Sequence, residues 1–232
     1  MIRRFSVLLL LIGLGAIFAG LLLGYSPDGE LNLSGRYYAE HTAQDIGAAN
    51  IVTAIIVTYR GLDTLGEVTV LFLTATIIGL VLSRGRKERA LQRDLPDAGE
   101  LLTIGRSLLV PLILLLGAYV FINGHLTPGG GFQGGAIVAS AMLLVLLTDL
   151  NRRFSHGLIA MVESTSGLVY VLLGLLGLVL AGGFLDNRFL PLGEFGTLFS
   201  AGAIPVIYAF IGLKVGAEFS SMLVNLSETE DN

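Results

Sequence analysis

Six blocks of about twenty mainly apolar residues dominate the chain, and that is the length a helix needs to cross the hydrocarbon core of a bilayer. They run over Phe5–Gly24, Leu65–Ser83, Ser107–Gly124, Gly134–Leu150, Leu158–Phe184 and Phe195 to about Leu226. Backbone in lipid must satisfy its own hydrogen bonds, so blocks of this kind become helices. Composition agrees: of 232 residues 53% are hydrophobic and 14% charged, against roughly a quarter charged in an ordinary soluble domain. An average soluble fold and a disordered chain are both excluded. The sequence contains no cysteine, so disulfides, thiolate metal sites and a cysteine nucleophile are excluded too. The first block exceeds the roughly 7–15-residue core of a secretory signal and is expected to be a retained helix.

A seventh apolar stretch, Ile46–Thr58, would reach only about 20 Å as a helix, short of a hydrocarbon core of about 30 Å. Charge decides its topology. With six spans and an inner N-terminus, the inner segments carry Arg3, Arg4, Arg84, Arg86, Lys87, Arg89, Arg93, Arg106, Arg152 and Arg153. The outer ones carry Arg36, Arg60 and Arg188. A seventh span would move the Arg84–Arg93 cluster outside, against the positive-inside bias. The fold class expected is therefore all-α integral membrane: six transmembrane helices, plus a short outer interfacial or re-entrant helix at residues 44–60. Both termini face the cytoplasm, in a multi-pass protein of the cytoplasmic membrane.

Residues 84–102 form a basic cytoplasmic linker with a sharp change of composition, dividing a two-span module (1–83) from a four-span module (103–232). Its positive charge suits anionic lipid. A nucleic-acid role would need a soluble basic face, which this chain lacks. The halves show no sequence repeat, so an inverted-repeat transporter is not indicated.

The most distinctive local string is Thr127-Pro128-Gly129-Gly130-Gly131-Phe132-Gln133-Gly134-Gly135, between the third and fourth spans. It lacks the Gly-Lys-Ser/Thr ending of a phosphate loop. Pro128 stops regular helix, and the glycines permit positive φ and close backbone approach. Gly134 and Gly135 let the fourth span start against a neighbour with no side chain between them. In the last span, Pro205 is expected to bend or unwind the helix locally.

Few charges lie within the spans. Asp63 and Glu67 are four residues apart at the start of the second span and share a helix face. Either they are hydrated interfacial carboxylates near Arg60, or they handle ions. Glu163 lies about two turns into the fifth span, where an ionised carboxylate costs several kcal/mol unless paired or hydrated. It reads either as a proton or sodium relay or as a carboxylate paired with a neighbouring subunit. Lys214 and Glu218, at i and i+4, fit a structural ion pair, though a buried lysine can also exchange protons. Asp149 is expected to pair with Arg152 and Arg153. His41, His125 and His156 are scattered in or beside loops, so no metal site or metal enzyme is indicated, and no cofactor is called for.

The string at 127–135 and the four spans around it resemble the B subunit of multisubunit Mrp-type sodium/proton antiporters, the MnhB family. Related subunits occur in membrane-bound hydrogenases. The stretch from Asn50 through Tyr59-Arg60-Gly61-Leu62-Asp63-Thr64-Leu65-Gly66-Glu67 resembles the C-terminal segment of the antiporter A subunit, which in the hydrogenases is a separate, E-like subunit. The resemblance implies an accessory subunit that does no chemistry alone and packs against larger antiporter-type membrane subunits. It further implies Na+ and H+ as transported ions, hydrogenase or other redox subunits as partners in a respiratory complex, and a place for Glu67 on the cation route. A rival reading is a purely structural scaffold with no residue in the ion path.

Overall fold

The structure, a computed structural model, describes residues 2–25, 29–83, 99–149 and 154–228. All regular structure among them is helical. Six helices have the length and apolarity to cross a membrane. They are α1 (Ile2–Gly24), α4 (Gly61–Ser83), α5 (Glu100–Ile122), α6 (Gly131–Thr148), α7 (His156–Leu180) and α8 (Ile204–Ser227). Two further helices lie between α1 and α4: α2 (Leu33–Asp45) and the single turn α3 (Ile51–Thr53). Contacts divide the chain into two compact units, Met1–Tyr37 and Tyr38–Asn232. The basic linker at 84–98 and the pair Arg152 and Arg153 lie outside the described residues.

Within the second unit α8 is the central helix, touching α4, α5, α6 and α7. Half of its apolar stretch is buried, against 11% for α4 and 6% for α5. Its composition explains this. Gly212 and Gly216 are flat points on α8 against α5 and α6, while Ile204, Ile207, Ile211 and Val215 fill the core beside Tyr170 and Tyr208. His156 at the start of α7 is hydrogen-bonded to Glu228 just past the end of α8, at 2.8 Å, so the two helices run antiparallel.

Several boundaries differ from expectation. The last span does not begin near Phe195, and Pro205 does not bend it. Residues 195–203 are turns, and Pro205 stands in the first turn of α8, where a missing N–H and a fixed φ cost nothing. The fifth span ends at Leu180, and the chain then turns back over it: Gly177 has no side chain to obstruct the Asp186 backbone nitrogen, 2.7 Å from where a Cβ would stand. Asp149 pairs with Arg106 of α5 at 3.5 Å.

The short apolar stretch is not one helix, and its middle is packed inside the protein, as a re-entrant segment would be. Residues 46–50 are non-helical around Gly47 at φ 75. Helix then runs over α3 and continues as a π-helix, Ala54–Tyr59, that meets α4 after Arg60. Thr53, Ala54 and Val57 are fully buried in the unit's core. A segment too short to span is thus folded back into the protein, where its wider π turn finds partners: the Thr64 hydroxyl donates to the Ile56 carbonyl. Irregular backbone inside a membrane protein is tolerated where it is buried in protein.

Candidate functional site

Near the middle of α8, the Lys214 ammonium lies 2.6 Å from the Glu218 carboxylate. Helical spacing puts them on one face, and that face points inward: Glu218 is fully buried and Lys214 only 7% exposed. The lysine stem passes across α7 at Gly167, its Cδ 3.3 Å from where a Cβ would stand. Its ammonium ends 5.0 Å from the centroid of the Phe72 ring on α4, within range of a favourable cation–π interaction. Glu163, one turn before Gly167 on α7, faces the same space. It lies close enough to act electrostatically on both Lys214 and Glu218. Among the described residues no hydrogen bond or ion pair holds its carboxylate. The second oxygen of Glu218 is buried without a partner.

Glu163 and Lys214 border a cleft of about 290 Å³ between α4, α7 and α8, walled also by Leu65, Phe72, Gly167 and Tyr170. Glu218 lies buried behind Lys214. The cleft thus presents one carboxylate, one ammonium already paired with a buried carboxylate, and an otherwise largely apolar wall. Among the described residues no three carboxylate or imidazole groups converge as a metal site would need.

A second polar network ties the glycine string to the folded-back segment. Asn50 caps α3, and its amide also donates to the carbonyls of Gly124 (2.9 Å) and Thr127 (3.0 Å). The Thr53 hydroxyl donates to the Gly124 carbonyl at 2.6 Å and accepts from the Tyr208 hydroxyl at 3.0 Å. Asn187 plays the same part at the next loop, donating to Ile46 and Ala201 carbonyls at 2.9 and 2.8 Å. Gly130 takes φ 155 and ψ −178, a region open essentially to glycine alone. In the following turn a Cβ on Gly134 would stand 2.8 Å from the Gly117 carbonyl oxygen, and one on Gly135 2.8 Å from that of Gly212. The string therefore presses α6 against α5 on one side and α8 on the other.

His125 is fully buried within this network rather than a surface loop residue. Its Nε2 donates to the Thr197 carbonyl at 3.3 Å, and Nδ1 has no partner. Burial pushes the imidazole below its ordinary range, against the raising effect of the Thr197, Ile122 and Leu198 backbone.

Residues 101–221, just over half the chain, match the family described as a domain related to the MnhB subunit of Na+/H+ antiporter. The chain belongs to the MnhB family. Residues 2–93 match a second family, MbhE, the E-type subunit of MBH. An uncharacterized protein of Methanocaldococcus jannaschii is 32% identical over 203 residues, covering 77% of each chain. Among solved structures, a chain of the membrane-bound sulfane sulfur reductase, an archaeal respiratory membrane complex, superposes with a TM-score of 0.82 at 40% identity, over 97% of this chain and 98% of that one. A chain of the Mrp complex from Dietzia sp. DQ12-45-1b gives a TM-score of 0.79 at 26% identity, over 99% of this chain but only 26% of its own longer length.

In this MnhB-family membrane protein the candidate residues fall into two groups. Glu163, Lys214 and Glu218 come together from α7 and α8. Asp63 does not join them: it pairs with Arg60 at 2.6 Å, both side chains more than half exposed. Glu67 is exposed on α4 and lies within electrostatic range of Tyr170 and Tyr208. The polar residues that sequence reasoning does not single out are Asn50, Thr53, Asn187 and Tyr208. Asn50 alone carries a signal, as a capping residue directly before a helical run.

Proposed function

We propose that this chain is an accessory membrane subunit of a multisubunit cation/proton antiporter, or of the homologous ion-translocating module of a membrane-bound respiratory complex, and that it helps form the ion path. Its parts are a two-span, E-like module (1–83), a basic linker (84–102) and a four-span, MnhB-like module (103–232), which the two family matches support. The respiratory alternative is favoured by the sulfane sulfur reductase relative, whose chain has the same extent. The Mrp relative carries the equivalent region inside a much longer chain. Partners are then other antiporter-type membrane subunits and redox subunits. The ions are Na+ and H+, the membrane is the cytoplasmic one, and both termini lie on its cytoplasmic side, as the distribution of arginine and lysine favours.

The observation that carries the reading is the grouping of Glu163, Lys214 and Glu218 beside a cleft midway along the bundle. Within this chain Glu163 is one carboxylate more than Lys214 neutralises, and an unpaired charge inside a membrane costs several kcal/mol. A scaffold would have to supply its counter-charge from a neighbouring subunit. Glu67 and Asp63 on α4 supply a second, more exposed pair of acidic residues along the same unit. The test is Na+-dependent proton exchange by the assembled complex carrying Glu67→Gln or Glu163→Gln. A loss of at least about tenfold, equivalent to about 1.4 kcal/mol in a barrier, is expected with assembly intact. Unchanged exchange in both variants would establish the scaffold reading instead.

A further inference from the structure

The charges of the cluster, in which Lys214 and Glu218 are buried and Glu163 is half-buried, do not cancel. Glu163 and Glu218 contribute two negative charges and Lys214 one positive charge. Among the described residues no other charged side chain lines the cleft: α6 has none along its length, and α7 supplies only Glu163 and the terminal His156. The α5 helix carries Glu100 at its start and Arg106, which pairs with Asp149. The α4 helix turns Phe72 and Thr69 toward the cleft, with Glu67 farther along and the neutral Tyr170 hydroxyl beside it. Geometry distinguishes the two carboxylates. Lys214 is committed to Glu218 at 2.6 Å, held there by the Phe72 ring and by the notch at Gly167. Glu163 has the cleft beside it and no bonded partner among the described residues. Glu163 is half-buried at the cleft wall, and a carboxylate held by no ion pair against a largely apolar wall is stabilised by taking a proton.

We propose that the cluster holds one exchangeable proton, on the Glu163 carboxyl, with Lys214 and Glu218 as its built-in charge pair and the α4–α7–α8 cleft as its entrance. Uptake forms one O–H bond on Glu163 with a proton delivered by water, and cancels the excess negative charge. Release breaks that bond and returns the proton to water, and no electron moves. When the proton leaves, the Lys214 ammonium stays paired with Glu218 and is close enough to act electrostatically on the new carboxylate. This site deepens the ion-path reading of the same residues and rests on it for its place in transport, while its protonation is measurable without transport.

The test is labelling of the intact complex with dicyclohexylcarbodiimide, which attacks protonated carboxyls in membranes, read by peptide mass spectrometry across pH. Glu163 is expected to be modified, at a rate falling about tenfold per pH unit above its midpoint. Lys214→Met should move that midpoint to higher pH, because the neighbouring positive charge is gone. Infrared spectra need no access for a reagent: a carboxylic C=O band present in the wild type and missing in Glu163→Gln is the second readout. Absence of both label and band overturns the proposal. If the proton is found but exchange is indifferent to Glu163→Gln, the proton site stands and its place in the ion path falls. If exchange requires Glu163 while the residue never protonates, the path stands and this inference falls.

Discussion

Lys214 and Glu218 form a buried ion pair, 2.6 Å apart on consecutive turns of the helix that every other span of the second unit packs against. The two charges have exchanged hydration for each other, which leaves the intact pair near energetic balance and each lone member strongly unfavourable. Lys214→Met is expected to destabilise the assembled protein by about 3 kcal/mol or more. Adding Glu218→Gln should recover most of that loss, since no charge is then stranded. Thermal denaturation of the purified complex reads both variants, and a double variant as unstable as the single one would contradict the pairing energetics.

Gly135 holds α6 against α8 with no room for a side chain, whereas Gly105 on α5 has open space around it. Gly135→Val must push a branched side chain into the Gly212 carbonyl and the Val215 side chain, a strain of about 1–3 kcal/mol or more. Reduced yield of assembled complex and a lower thermal midpoint are expected. Gly105→Ala should be neutral or stabilising by up to about 1 kcal/mol. Equal effects from the two substitutions would show that the contact is not what Gly135 protects.

His125 ties the turn before α6 to the Thr197 carbonyl while neutral. Because burial lowers its folded-state pKa, the unfolded chain binds more protons in the window from that lowered value up to about 6.5. Stability then rises with pH through this window and is lost as pH falls through it. Hydrogen exchange at residues 123–131 is expected to accelerate on acidification below about pH 6.5, and His125→Gln should flatten that dependence. An acid response that survives the substitution would assign it to another group.

How much of this is legible in the amino-acid sequence depends on the range of the force involved. The six spans follow from local apolarity, because any run of that length in lipid must close its own hydrogen bonds. The i, i+4 spacing of Lys214 and Glu218 follows from helix geometry alone. Pro205 departs from expectation because the same missing N–H breaks a helix interior and suits a helix start, and hydropathy does not say which position applies. The α2 helix escapes a search for apolar runs because Leu33–Asp45 is largely polar, with only Thr42 buried. The three-residue turn of α3 and the π turns after it owe their conformation to Asn50, Thr53 and Thr64 meeting carbonyls and hydroxyls from elsewhere in the fold or a few residues away. Asn187, which reaches Ile46 across much of the chain, has no local sign of its role.

The amino-acid sequence by itself determined that this chain lives in a membrane, where its spans lie, and which few ionisable residues must be explained there. The glycine string at 127–135 already marked a close-packed turn, since only glycine lets backbones approach to van der Waals distance. Tertiary structure alone decided which of those ionisable residues meet. Asp63 is held by its own neighbour Arg60, whereas Glu163, far from Lys214 in sequence, is brought to it by α7 packing antiparallel on α8. Hydropathy is a property of each segment, but the balance of charge in a cleft is a sum over helices, and only the packed bundle defines which terms enter that sum.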